Sequence, residues 1–241
     1  MLYIFDVDMT VAESDCEMTD EMKAVFLEFG QKGHKYFFCS GSAIPKMRHQ
    51  ISDAVAAHAT ALFPNMGGEL WVDGERLYQR TFAWPEGLRE DLERLLEESP
   101  YEERTGDHIQ DRTTMVCFSI VGKAADMPAR KRYTAWSNKT GDRIKICEEL
   151  GAKYPTLHFS MGGQTSIDIS DLGNDKSQVL PVLRERFGGE PVMFFGDRMQ
   201  EGGNDYPLAE VLKEETGIDN IMVPVENPED TLQKLKEILK A

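Results

Sequence analysis

The chain is short of cysteine, short of positive charge and without any long hydrophobic run, and each shortage narrows what it can be. Its four cysteines, Cys16, Cys39, Cys117 and Cys147, are scattered through 241 residues with no paired spacing. That excludes a disulfide scaffold and a cysteine-rich zinc site, and favours a reduced, intracellular setting. The five histidines show no ligand spacing with them. Lysine and arginine number 27 against 42 acids, for a formal net charge of -15. A nucleic-acid partner would call for a basic face to displace counterions, so none is expected. No apolar stretch is long enough to span a bilayer. Leu2 to Phe5 is too short for a signal segment and leads straight into acids, so the cytoplasm is the expected compartment. What remains is a soluble globular protein with 41% hydrophobic and 29% charged residues.

Leu2-Tyr3-Ile4-Phe5, Tyr36 to Cys39, Pro191 to Phe195 and Asn220 to Val223 are short apolar runs without alternation, the pattern of parallel strands buried on both faces. Helices are expected between them: Thr19 to Gly30, a single helix from Pro45 to about His58, one after Pro207, and Thr231 to Lys240 behind the Asn227 to Asp230 start signal. Alternation of strand and helix predicts a parallel sheet wrapped on both faces. The middle differs. Leu88 to Glu97 reads as a charged amphipathic helix, Met115 to Val121 as a strand, and Pro128 to Leu150 as helix broken near Ser137 or Gly141. His158 to Ser160 and Thr165 to Ile169 read as strands. The expected fold is therefore an α/β protein: a Rossmann-like core from residues 1–81 and 171–241, carrying an inserted α+β domain over 82–170.

Asp6-Val7-Asp8-Met9-Thr10 follows the first strand, at the edge where open parallel sheets bind ligands. Side chains two apart in extended backbone share a face, so Asp6 and Asp8 can converge. One carboxylate can attack phosphorus while its neighbour shuttles the proton of the leaving or attacking oxygen. Phe194-Phe195-Gly196-Asp197 ends another apolar strand, and Asp205 follows in Gly202-Gly203-Asn204-Asp205. Both strand ends open on the same edge, so Asp197 and Asp205 can reach Asp6. Such carboxylates, with backbone oxygens, are hard ligands suited to magnesium. Lys176 can neutralise a phosphate and the surplus acidity. Ser40, or Ser42 two residues on, can donate to a phosphoryl oxygen.

In order, DxDxT, a strand-end serine, a lysine and GD-x(7)-D resemble the four motifs of the haloacid dehalogenase superfamily. The resemblance implies Asp6 as nucleophile, Asp8 as general acid/base, and magnesium on Asp6, the Asp8 carbonyl and Asp197, with Asp205 supporting. Phe63-Pro64 to Gly68, Arg112 to Met115, Gly162-Gly163-Gln164 with Ser166 and Asp168, Gly173 to Lys176, Gly202 to Asp205, and Pro228 to Thr231 further resemble the eukaryotic-type phosphomannomutases, over essentially the whole chain. That family implies a type IIB-like cap whose arginines hold the phosphate not being transferred. Arg112 and Arg130 stand at matching places, with Arg132 a competitor for the second role. Lys123 stands in for a third arginine, and Gly163, Gln164, Ser166 and Asp168 fall in the sugar-phosphate motif. The sequence departs from the family at Met9, where glycine is usual, and at Ala12 to Asp15, where an acid stands in place of a substrate-binding arginine. The implied reaction is mannose 6-phosphate to mannose 1-phosphate. The alternative is a sugar-phosphate phosphatase; a non-catalytic sugar-phosphate sensor would need motif acids that had lost their work, and all are present. Cap residues could also pair two subunits into a homodimer.

Overall fold

The computed structural model describes residues 1–162 and 164–240. In chain order, the first run comprises β1 (Leu2–Phe5), α1 (Asp20–Gln31), β2 (Lys35–Cys39), α2 (Ile44–Ile51), α3 (Asp53–His58), β3 (Ala61–Phe63), β4 (Glu69–Val72) and β5 (Glu75–Gln79). A second run holds α4 (Leu88–Glu98), β6 (Ile109–Asp111), β7 (Val116–Phe118), α5 (Met127–Thr140), α6 (Asp142–Lys153), β8 (Leu157–Gly162) and β9 (Ser166–Asp171). The chain then returns through α7 (Val179–Phe187), β10 (Val192–Gly196), α8 (Tyr206–Glu214), β11 (Ile221–Pro224) and α9 (Pro228–Lys240). It divides into two compact units, Met1–Gln79 with Gly173–Ala241, and Arg80–Leu172.

In the first unit the strands order as β11-β10-β1-β2-β3-β4-β5. The first five are parallel, and β4 and β5 extend the edge in antiparallel sense. The lack of alternation in β1 and β2 has a direct cause. Tyr3, Phe5, Tyr36 and Phe38 enter one core with Phe26 and Phe29 of α1, while Leu2, Ile4, Phe37 and Cys39 enter another with Leu183 of α7 and Leu208 of α8. Both faces are covered, so every position of Leu2 to Phe5 and of Tyr36 to Cys39 is apolar. Phe5 stacks on Phe195 of the neighbouring strand with ring centroids 4.6 Å apart, and Phe26 meets Phe5 edge-on at 5.0 Å. Thr19 caps α1, its hydroxyl accepting the Met22 N–H at 3.2 Å.

Three expectations change. The helix expected from Pro45 to His58 is two, because Ser52 takes a φ of +68° and recaps α3 by accepting the Val55 N–H. Strands β3 to β6 were not expected; β3 and β6 are three residues long, β4 opens on the buried Glu69, and β5 is an edge strand carrying Glu75, Arg76 and Gln79. The strand expected over Met115 to Val121 shortens to Val116–Phe118, with the chain turning just beyond it where the Gly122 N–H returns to the Ser119 carbonyl at 3.2 Å.

The second unit is built on an antiparallel sheet ordered β6-β7-β9-β8. Leu88 and Leu92 of α4, Tyr133 of α5 and Ile146 and Leu150 of α6 pack on Val116, Phe118, Ile167 and Ile169 of that sheet. The break between α5 and α6 falls at Gly141, whose φ of +68° is open to glycine at little cost. No helix among the described residues is long and apolar enough to cross a membrane.

Candidate active site

Asp6 leaves the end of β1 with its backbone N–H bonded to the Phe195 carbonyl at 2.9 Å, which locks it to the end of β10. The loop that follows is wound tightly. The N–H groups of Thr10, Val11 and Ala12 all return to the Val7 carbonyl, and Met9 takes a left-handed φ of +59°. The glycine usual at that place would adopt this conformation freely, whereas methionine holds it under strain. The turn brings Thr10 back over its strand, where its hydroxyl donates to Asp6 Oδ2 at 3.3 Å.

Lys176 is fully buried and touches two carboxylates at once, in direct contact with Asp6 Oδ1 and 2.6 Å from Asp205 Oδ1. The second Asp205 oxygen accepts the Arg198 N–H at 3.1 Å. Asp6, Asp197 and Asp205 each present an oxygen within 4.8 Å of the others. Burial pushes the Asp6 carboxyl up to about 7; Lys176 opposes the rise and Asp205 adds to it. Burial also works against the charge on Lys176, but Asp6 and Asp205 outweigh it and hold the ammonium well above its ordinary range. Asp197 is raised too, by burial and then by Asp205. Three carboxylates and one ammonium leave two negative charges in excess when all are ionised, and that excess adds to the burial that raises Asp6 and Asp197. The donor set is hard oxygen. The residues present fit a divalent cation.

Asp8 points elsewhere. Its Oδ1 accepts from Gln50 Nε2 at 3.0 Å and from Ser14 Oγ at 3.4 Å, with Lys46 Nζ at 3.5 Å, and its Oδ2 accepts from Ser42 Oγ at 3.3 Å. Burial disfavours its charge, but the Gln50 hydrogen bond and the Lys46 ammonium outweigh that, so it ionises below the usual carboxylate range. Ser40 ends β2 in the buried interior, its Oγ accepting the Ser42 N–H at 3.1 Å. Gln50 and Lys46 were not singled out in the sequence. A Lys-x-x-x-Gln spacing on a helix is too common to signal a site by itself.

The second unit holds a cavity of about 410 Å³ lined by Arg112, Lys123, Arg130, Gln164, Ser166 and Asp168, with Gln110 and Thr165 beside them. Arg130 is pinned by backbone, Nε to the Ala125 carbonyl at 2.8 Å and Nη2 to the Lys123 carbonyl at 3.3 Å. Arg112 donates to Gln110 Oε1 at 3.1 Å, and Lys123 Nζ meets the buried Cys117 Sγ at 2.5 Å. Ser166 Oγ donates to the Gly162 carbonyl at 2.7 Å. A Cβ on Gly162 would lie 2.4 Å from the Asp168 carboxylate, so this close approach needs glycine. Asp168 Oδ1 is buried without a partner among the described residues. Gly163 lies outside them. Arg132, the competitor for the role of Arg130, instead pairs with Glu103 at 2.7 Å and does not line the cavity. Three cations, Arg112, Lys123 and Arg130, line one cavity beside Asp168 in a chain of net charge -15.

Residues 23–241 match the family model described as eukaryotic phosphomannomutase. The chain belongs to that family. It is 30% identical to the phosphomannomutase of Encephalitozoon cuniculi over 247 aligned residues, covering 99% of this chain and 93% of that protein. With the phosphomannomutase of Saccharomyces cerevisiae the identity is 28%, over 98% and 93% of the two chains. Among solved structures, a haloacid dehalogenase-like hydrolase from Bacteroides thetaiotaomicron superposes with a TM-score of 0.64 at 14% identity, covering 98% of each chain. Trehalose-6-phosphate phosphatase from Aspergillus fumigatus gives 0.58 at 15% identity, over 99% of this chain and 92% of that one. At such identities the likeness is one of fold: a haloacid dehalogenase-like α/β architecture. Family and relatives make this chain an enzyme with a phosphomannomutase-like function, on a haloacid dehalogenase-like fold.

Proposed function

We propose that the protein transfers a phosphoryl group on a hexose phosphate through a covalent aspartyl-phosphate at Asp6, interconverting mannose 6-phosphate and mannose 1-phosphate. The observation that carries this reading is the meeting of Asp6, Asp197 and Asp205 with buried Lys176 at the strand ends of the parallel sheet. Asp6, Asp197 and the Asp8 carbonyl would hold magnesium with Asp205 in support, and the bound ion supplies Lewis-acid polarisation of the phosphoryl oxygens. Asp6 attacks phosphorus: a carboxylate oxygen forms the new O–P bond as the ester P–O bond breaks. Asp8, ionised at rest, takes the proton of the sugar hydroxyl that attacks the aspartyl-phosphate and then returns it to the sugar oxygen that leaves when Asp6 takes the group back. Lys176 holds Asp6 in place and offsets part of the charge gathered there. Ser40, Ser42 and Thr10 supply hydroxyl donors around the two acids.

In the second unit, Arg112, Lys123 and Arg130 offer charge to a phosphate, and Gln164, Ser166 and Asp168 offer partners to sugar hydroxyls. The unpaired Asp168 oxygen supports that reading, since a buried acceptor left idle is costly until a ligand donates to it.

One observation favours hydrolysis as a second reading. Asp15, in the stretch where the family places a substrate-binding arginine, is an acid held by Lys46 at 2.6 Å. A mutase retains a sugar bisphosphate through a half-turn, and a missing cation weakens that retention more than it weakens a single phosphoryl release. Incubation with mannose 6-phosphate, with and without the corresponding bisphosphate, separates the two. Isomer that appears in response to bisphosphate supports the mutase; steady free phosphate with no isomer overturns it in favour of the phosphatase.

A further inference from the structure

Lys46 and Gln50 stand one turn apart on α2, four residues being the spacing that puts two side chains on the same helix face. Gln50 is fully buried, and its amide does two different things. Nε2 donates to Asp8 Oδ1 at 3.0 Å. Oε1 is buried with no partner among the described residues. Leaving half of a buried amide unsatisfied is destabilising, and a leucine would fill the same core position without that penalty. A purely structural role is already met by the backbone, since the Gln50 carbonyl accepts the Met18 N–H at 2.7 Å and so ties down the loop that carries the acids. The side chain is therefore free for another task, and it faces Asp8.

The other groups on Asp8 are longer and looser. Ser14 and Ser42 lie at 3.4 and 3.3 Å, and Lys46 at 3.5 Å, drawn outward by Asp15 at 2.6 Å. Of these side-chain contacts, the Gln50 one alone has ordinary hydrogen-bond length, and the Asp15 backbone N–H supports the same carboxyl. The Gln50 contact also comes from the most buried of these partners. We infer that Gln50, backed by Lys46, is the positioning residue that holds the Asp8 carboxyl where it can reach the leaving oxygen. The inference rests on the reading of Asp6 as nucleophile and Asp8 as its proton donor. In that step the Asp6 O–P bond forms, the ester P–O bond breaks with its electron pair going to the leaving oxygen, and the proton that Asp8 took from the attacking hydroxyl in the preceding half-reaction moves to that oxygen. A carboxyl free to rotate away is seldom within hydrogen-bond reach when the bond breaks.

Leaving groups differ in how far they depend on that proton. A sugar alkoxide needs it, whereas 4-nitrophenolate departs as a stable anion. The experiment compares mannose 6-phosphate with 4-nitrophenyl phosphate, using the full chain with magnesium, for Gln50→Leu, Lys46→Met, Lys46→Arg and Asp8→Asn. Gln50→Leu is expected to lower kcat on the sugar ester by roughly ten- to a hundredfold more than on the aryl ester, with KM little changed. Lys46→Met should show the same bias more weakly, and Lys46→Arg should restore most of it. Asp8→Asn sets the upper limit of the bias. Equal losses on both esters, or losses confined to KM, overturn the inference while Asp8→Asn remains selective. If Asp8→Asn itself is unselective, the assignment of Asp8 as proton donor fails, and the inference with it. Lys46 is partly exposed, so its variants decide the matter even if Gln50→Leu does not fold.

Discussion

Lys176 Nζ lies 2.6 Å from Asp205 Oδ1, and both side chains are wholly withdrawn from solvent. The pair joins the start of α7 to the start of α8, and the same ammonium also reaches Asp6 on β1. Removing the cation would strand two buried carboxylates beside Asp197. Lys176→Met is expected to cost about 3–5 kcal/mol of stability, the usual penalty for breaking a buried ion pair from one side. Magnesium should then stabilise the variant more than it stabilises the parent, because the cation deficit is larger. Denaturant unfolding with and without the ion checks both parts.

Asp6→Asn should remove nearly all turnover while leaving the fold intact, since an amide is a poor nucleophile and a poor ligand. It should also change how stability responds to pH. Burial raises the folded carboxyl to about 7, so between about 4 and 7 the folded state binds more protons than the unfolded state. Stability of the metal-free protein therefore falls as pH rises through that window. The Asn variant should lose this part of the slope. Thermal melts of the metal-free proteins across pH 4 to 8 measure it, and parallel curves for the two would refute the assignment.

Asp197 is the half-buried member of the three-carboxylate group. Asp197→Ala should raise the magnesium concentration needed for half-maximal activity by tenfold or more, or abolish activity outright. Chelator treatment of the parent should do likewise, and activity should return on adding magnesium. Undiminished turnover after chelation would show that the carboxylates serve another purpose.

Arg130 is oriented by the backbone carbonyls of Lys123 and Ala125, so its guanidinium enters the pocket already ordered. Arg130→Ala should lower catalytic efficiency on a hexose phosphate by roughly ten- to more than a hundredfold, the equivalent of about 1.5–3 kcal/mol for a charge-assisted contact. A small phosphate ester without the sugar should be turned over nearly as before. Steady-state kinetics on both substrates decide it; equal losses would mean that Arg130 serves the fold.

Much of this protein can be read from one dimension. The uninterrupted apolar runs ending in Phe5, Cys39 and Gly196 announce strands covered on both faces, because nearly every residue in such a strand is kept from water. Acids placed just beyond those ends fall on a common edge, since parallel strands all finish on the same side. Arg112, Lys123, Arg130, Ser166 and Asp168 were legible through their motifs, and the structure brings them around one cavity. Tertiary structure alone decided three other matters. The φ of +68° at Ser52 split a helix whose composition gave no warning, because the residue recaps the next helix as it turns. Strands β3 and β4 were hidden by their shortness, and the edge strand β5 by side chains that face water. Gln50 met Asp8 across 42 positions of chain, and Lys176 met Asp6 across 170. Local patterning records which face of an element is buried; it holds no record of which distant side chain will share that burial, since that depends on how the sheet orders its strands and on the packing that follows.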